Sequence, residues 1–93
     1  MKLLKIPVKK IDEVWSLVKQ NIQELGKIVS KYDSMFMVDC VTSLAGTELL
    51  FDSWGIDFAY SGSQKCLASP PGLSPCALSN RAYEYIKNRT KKP

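Results

Sequence analysis

Met35-Phe36-Met37-Val38-Asp39 and Phe58-Ala59-Tyr60-Ser61-Gly62-Ser63-Gln64-Lys65 are the two stretches that decide how this chain folds. Each is a short apolar run that ends in polar residues. Met35–Val38 shows no alternation, the pattern of a parallel strand covered on both faces, and it runs into an acid, Asp39. Phe58–Tyr60 runs into small polar residues and then Lys65. Residues 40–57 separate the two runs. Parallel neighbours need a crossover of about a dozen residues or more, so the spacing predicts a βαβ-like unit. Its crossover should hold a short helical turn near Glu48–Ser53, closed by Gly55.

Upstream, apolar residues fall at Ile11, Val14, Trp15, Val18, Ile22, Leu25 and Val29. Steps of three and four make one helical stripe and predict a helix over Ile11–Lys31, with Asp12 as its cap. Gly26 in that helix either lets it approach a neighbour closely or marks a break. Tyr32-Asp33-Ser34 reads as a turn. Downstream, Pro71-Gly72 suits the centre of a type II turn. The strand Leu73–Ser79 follows after a connection too short for a helix, so it should run antiparallel to its predecessor. Pro75 places it at an edge or strand end. Asn80–Asn88 reads as a helix, with Asn80 as its cap. No internal repeat or linker is visible.

At 93 residues the chain holds one small domain or part of a larger one. Hydrophobic residues at 45% and charged residues at 24% are ordinary for a globular chain and exclude disorder along most of its length. No apolar run approaches the ~18 residues that would cross a bilayer, so no membrane partner is expected. Histidine is absent, which excludes Ser-His-Asp and Cys-His catalysis and His-ligated metals within this chain. No metal site is expected. The net charge of +4 comes from basic ends, Lys2 to Lys10 and Arg81 to Lys92. Those ends lack interleaved aromatics and match no nucleic-acid motif, so they read as solvated surface and no nucleic-acid partner is expected. Cys40, Cys66 and Cys76 form no CxxC pair and are odd in number, which points to a reducing, intracellular compartment. Neither end carries a targeting signal that chooses between peroxisome, mitochondrion and cytosol.

Open α/β sheets bind ligands at the carboxyl ends of their parallel strands. Asp39 falls there after the first strand and Lys65 just past the second, 26 residues later. Ser61, Gly62 and Ser63 let a bulky cofactor approach the backbone. A partly desolvated lysine can lose its proton and form a Schiff base with an aldehyde. A carboxylate at the neighbouring strand end can hold a pyridine nitrogen protonated and keep the ring an electron sink. On spacing alone, the same pair also reads as a partly exposed ion pair or as solubilising charge.

The residues themselves narrow this. Met37-Val38-Asp39-Cys40-Val41-Thr42-Ser43-Leu44-Ala45-Gly46, Gly55-Ile56-Asp57, Tyr60-Ser61-Gly62-Ser63-Gln64-Lys65 and Pro70-Pro71-Gly72 closely resemble the class V pyridoxal-phosphate aminotransferases. Within that class they resemble the alanine–glyoxylate (serine–pyruvate) branch. The resemblance covers roughly residues 22–93 and implies an α/β fold. That fold would be part of a fold-type I large domain, about three strands (two parallel, one antiparallel) with flanking helices. It implies pyridoxal 5'-phosphate as cofactor, small amino acids and 2-oxo acids as substrates, and a homodimeric parent. It also implies roles: Lys65 forms the Schiff base and moves the proton, Asp39 pairs with the pyridine nitrogen, Val41 packs on the ring face and Gln64 binds the cofactor phosphate. Read without the resemblance, Val41 is a core valine and Gln64 a surface amide. Cys66 reads as a small core residue.

Residues 1–21 do not match the family and form a divergent N-terminal segment; 22–93 form the partial cofactor-binding domain. The family's upstream phosphate-binding loop, ring-stacking aromatic and Ser/Thr-rich strand end have no counterpart here, nor does the arginine that grips the substrate carboxylate. The expectation is a partial transaminase, inactive alone, with one apolar sheet face and two edges uncovered. A cysteine desulfurase- or kynureninase-like enzyme is the rival within the fold. Those usually place His before the lysine, where this chain has Gln64. A non-catalytic α/β interaction fragment is the rival of another class.

Overall fold

The computed structural model describes residues 20–91. In chain order these form α1 (Ile22–Val29), β1 (Met37–Asp39), β2 (Phe58–Tyr60), β3 (Cys76–Leu78) and α2 (Asn80–Lys87). The sheet order is β1-β2-β3. β1 and β2 are parallel, with Met37 opposite Phe58, Val38 opposite Ala59 and Asp39 opposite Tyr60. β3 returns antiparallel, Leu78 opposite Phe58 and Cys76 opposite Tyr60. The expected architecture of two parallel strands and one antiparallel strand holds, with Pro75 just before an edge strand.

Four local expectations change. The upstream helix begins at Ile22 rather than running through, because the Asn21 side chain takes the Glu24 N–H at 3.1 Å and caps it. Asp12 and the stripe from Ile11 to Val18 lie outside the described residues. Ser79, not Asn80, caps α2, its hydroxyl accepting from Ala82 N at 3.0 Å. Among the described residues, β1 is covered on one face only. Phe36, Val38 and Cys40 are buried while Met37 and Asp39 are exposed. The reason is that α1 and the crossover lie on one side only. Ile22, Val29, Leu44, Leu49, Phe51 and Trp54 pack there against Phe36, Val38, Cys40, Ile56 and Ala59. Met37, Asp39, Phe58, Tyr60, Cys76 and Leu78 therefore share the open face.

The fourth change is at Pro70-Pro71-Gly72. A type II turn would bond Leu73 N–H to the Pro70 carbonyl. Instead the Ser63 hydroxyl bridges the gap, donating to Pro70 O at 2.6 Å and accepting from Leu73 N at 3.4 Å. Gly72 at φ 134° lies well beyond the ~80° of a type II turn.

The crossover ends as expected. Ile56 N bonds Phe51 O at 3.0 Å and Gly55 N bonds Asp52 O at 3.1 Å, with Gly55 left-handed at φ 66°. This is a Schellman closure, and it drives Ile56 into the core, where only 2% of its surface remains exposed. Gly26 is buried where α1 meets the crossover, and a Cβ there would overlap the Trp54 carbonyl oxygen. Close approach, not a break, is what that glycine provides.

Asp57 ties the amino-terminal ends of β1 and β2 to the carboxyl-terminal end of β3. Its Oδ2 accepts from Phe36 N at 2.9 Å, its Oδ1 accepts from the Ser79 hydroxyl at 2.8 Å, and its backbone bonds both Phe36 and Ser79. Arg81 lies 3.5 Å from Oδ2 and reaches the Ser34 carbonyl.

Candidate functional site

The carboxyl ends of β1 and β2 present the candidate site. Asp39 closes β1 on the open face. The backbone turns at once after it, so Val41 N donates to Asp39 Oδ1 at 3.0 Å, an Asx-type turn. From β2, Tyr60 donates its hydroxyl to Asp39 Oδ2 at 2.8 Å. These two donors, the Val41 N–H first and the Tyr60 hydroxyl second, hold the carboxyl below its usual range. The same bond, with the nearby carboxylate charge, raises Tyr60 above its ordinary value. Asp39 thus offers an ionised carboxylate to the open side.

Beneath it the backbone is locked. Cys40 N and Cys40 Sγ both donate to the Tyr60 carbonyl at 3.0 Å, and the Ser61 hydroxyl donates to the Cys40 carbonyl at 3.2 Å. Burial pushes the Cys40 thiol up, with the Asp39 charge adding to it. Val41 is half-buried on the loop that follows.

Gln64 and Lys65 lie in a loop closed at its neck by Ser63. Ser63 N bonds Leu73 O at 3.1 Å, Ser69 N bonds Ser63 O at 2.9 Å, and the hydroxyl bridge completes the closure. The loop is a compact Ω-type excursion. Cys66 ties it to the loop after β1, its thiol donating to the Thr42 carbonyl at 3.2 Å. Gly46 sits so close that a Cβ would come within 2.7 Å of Cys66 Sγ. Ala45 and Ala68, one in each loop, both take left-handed backbone, φ 69° and 51°. That conformation costs an L-residue about 1–2 kcal/mol, which the tethering must offset. Gly62 gives room for the Gln64 amide to fold back over it, since a Cβ there would meet Gln64 Oε1 at 2.7 Å.

The structure therefore brings the loop bearing Asp39 and Val41 against the loop bearing Gln64 and Lys65. Two expectations are corrected. Lys65 and Gln64 are exposed, so the described residues do not supply the desolvation expected around the lysine. Cys66 is exposed too and serves as a tether, not core packing. Among the described residues no carboxylate forms an ion pair with Lys65. Sequence reasoning missed Tyr60 and Ser63. Tyr60 carried a readable signal, since it ends its strand as Asp39 ends the other. Ser63 carried none.

These residues suit pyridoxal phosphate. An ionised carboxylate with free lone pairs faces the open side, and an unpaired primary amine stands in a loop tethered beside it. Among the described residues, no group of three or more His, Cys, Asp or Glu side chains gathers to hold a metal ion. Likewise, no helix there is long and apolar enough to cross a membrane.

Comparison with known proteins gives a consistent answer. Over 82 residues, 88% of the chain, it is 49% identical to an alanine–glyoxylate aminotransferase of Drosophila melanogaster. It is 45% identical over 71 residues to an uncharacterized aminotransferase of Methanocaldococcus jannaschii. The chain spans about a fifth of each relative's length, 21% and 18%. Among solved structures, the alanine–glyoxylate aminotransferase of Nostoc sp. superposes with a TM-score of 0.75 at 29% identity. It covers 94% of this chain and 27% of its own. The pyridoxamine–pyruvate aminotransferase of Mesorhizobium loti does so at 0.70 and 31%, over 75% of this chain and 18% of its own. The family profile described as aminotransferase class-V matches residues 17–89, and with that span of the chain accounted for, the protein belongs to the class-V aminotransferases.

Proposed function

We propose that this chain is the pyridoxal phosphate-binding part of an aminotransferase that moves an amino group from alanine or serine to glyoxylate or pyruvate, the family-like part beginning upstream of the expected boundary at residue 22, since the profile already matches from residue 17. Lys65 carries the cofactor as a Schiff base and then moves the proton. Asp39 faces the pyridine nitrogen, Val41 packs on the ring, and Gln64 binds the phosphate. The cofactor, when bound, supplies the electron sink. The observation that carries this reading is the Asp39 carboxylate, held ionised by two donors at the end of a parallel strand pair beside the tethered Lys65 loop. The aminotransferase names of the relatives favour this branch over desulfurase-like chemistry.

The parent works on small amino acids and 2-oxo acids as a homodimer, inside the cell. Three free thiols agree with a reducing compartment. The 93 residues alone do not transaminate. Asp39 and Lys65 stand open to solvent, and excluding water from the reaction needs walls that the described residues do not supply.

The test is borohydride reduction of the chain mixed with pyridoxal phosphate, followed by peptide mapping. A pyridoxyl group is expected on Lys65 ahead of the other lysines, with an absorbance band that Lys65→Ala removes. Labelling spread evenly over the surface lysines, or a band that survives Lys65→Ala, would overturn the reading.

A further inference from the structure

We propose that Tyr60 is the residue that positions Asp39, acting on the cofactor through the carboxylate rather than by touching the cofactor itself. This rests on the functional reading above. The register puts Asp39 and Tyr60 directly opposite each other as the last residues of two parallel strands. Both side chains stand on the open face, and the hydroxyl reaches Asp39 Oδ2 at 2.8 Å.

Tyr60 is itself held on two sides. Its ring tilts against Phe58 with centroids 6.1 Å apart, and its carbonyl takes both the N–H and the thiol of Cys40, the residue next to Asp39. The phenol is therefore a fixed donor, not a swinging one. With Val41 N on Oδ1 and Tyr60 on Oδ2, the carboxylate is gripped from two elements and cannot rotate about its own Cβ–Cγ bond without losing both. An ionised carboxylate has about four lone-pair positions, so one on Oδ2 stays free for a further N–H.

The consequence is electronic as well as geometric. A carboxylate that already accepts two hydrogen bonds is a weaker base. A proton shared with a ring nitrogen then stays on the nitrogen, and the ring stays cationic. Removing the phenol hydroxyl makes Asp39 more basic, which draws the shared proton from the nitrogen toward the carboxylate, and lets it swing, which loosens its contact with the ring.

Two measurements on the full chain test this, comparing wild type, Tyr60→Phe, Asp39→Asn and the double variant. Phenylalanine keeps the ring and its Phe58 contact, so the fold is spared. The first is a carbon-13 NMR titration of the Asp39 carboxyl without cofactor, in which Tyr60→Phe is expected to titrate at higher pH than wild type. The second adds pyridoxal phosphate and follows the Lys65-dependent absorbance band against pH and dilution. Tyr60→Phe is expected to release cofactor several-fold more readily and to move the pH at which the band changes. In the Asp39→Asn background the same change should do neither. An unmoved Asp39 titration refutes the proposal whatever the cofactor does. A moved titration with a band unchanged in Tyr60→Phe also overturns it. A band that survives Lys65→Ala fells the functional reading, and the positioning role with it.

Discussion

Replacing Asp57 by alanine is the most informative structural perturbation. The side chain is only 9% exposed and its carboxylate accepts two hydrogen bonds. One comes from the Phe36 N–H, which is buried and finds no other acceptor once the carboxylate is gone. An orphaned buried donor costs about 1–3 kcal/mol. The other comes from Ser79, which is half-buried and can turn partly to water while still capping α2. Losing a charged acceptor there adds about 1 kcal/mol. The pair with Arg81 adds little, because the arginine is 51% exposed and 3.5 Å away. Asp57→Ala should therefore cost about 2–4 kcal/mol, out of roughly 5–14 kcal/mol available to a domain of this size. That corresponds to a fall in Tm of about 10–25 °C. Urea and thermal unfolding followed by far-ultraviolet circular dichroism read it directly. Asp57→Asn keeps one carbonyl acceptor for Phe36 and should cost about half as much, and Arg81→Met less than 1 kcal/mol. The order of the three is the test. If Arg81→Met costs as much as Asp57→Ala, the ion pair and not the paired N–H governs this corner, and the reasoning fails.

Ser63→Ala removes the hydroxyl that bridges Pro70 and Leu73. It should cost about 1–2 kcal/mol in unfolding experiments and speed proteolysis within residues 64–72, whereas an unchanged cleavage pattern would show that the backbone bonds alone close the neck. Gly26→Ala raises helix propensity by about 1 kcal/mol yet should still destabilise the chain, because the new methyl overlaps the Trp54 carbonyl. A net gain in urea midpoint would contradict that packing. Asp39 titrates below its ordinary 3.8 in the folded chain, so its stabilising effect is fully present above that pH and is lost as pH falls through the lower folded value. Asp39→Asn should lower stability near neutrality, where the ionised carboxylate contributes, and flatten the acid limb, so that its curve converges with that of wild type as pH falls.

How much of this was legible beforehand differs from element to element. The three strands were readable because each is a short apolar run between polar breaks, and the distance between the first two left room for a crossover. Gly55 was readable because the left-handed position that closes a helical turn favours glycine. The one-sided cover of β1 was hidden. Met37 is apolar, and an apolar residue on an open face looks like a core residue until the helices are placed. The upstream stripe ran across Asn21 without showing that its side chain would cap a helix starting at Ile22. Asp39 and Lys65 stood out through chemistry and spacing, while Tyr60 and Ser63 act through pairings between elements, which no single stretch displays.

The two ends of the sheet are linked by register. Asp57 joins Phe36 to Ser79 at the start of β1, β2 and the end of β3, and from that point the residues count off in pairs: Met37 with Phe58, Val38 with Ala59, Asp39 with Tyr60. Because side chains alternate along a strand, a slip of one residue would turn Val38 outward and Asp39 into the core. It would also part the carboxylate from the phenol. The buried face and the chemical face are thus two readings of one alignment, and the clamp at Asp57 sets both. A polar group that touches nothing reactive then matters to the site for a definite reason: it decides which residue stands opposite Asp39. By the same logic, Asp57→Asn, which keeps one acceptor for Phe36, should preserve that alignment far better than Asp57→Ala. A variant at Asp57 that still folds but slips should lose the Asp39–Tyr60 pairing before it loses its secondary structure.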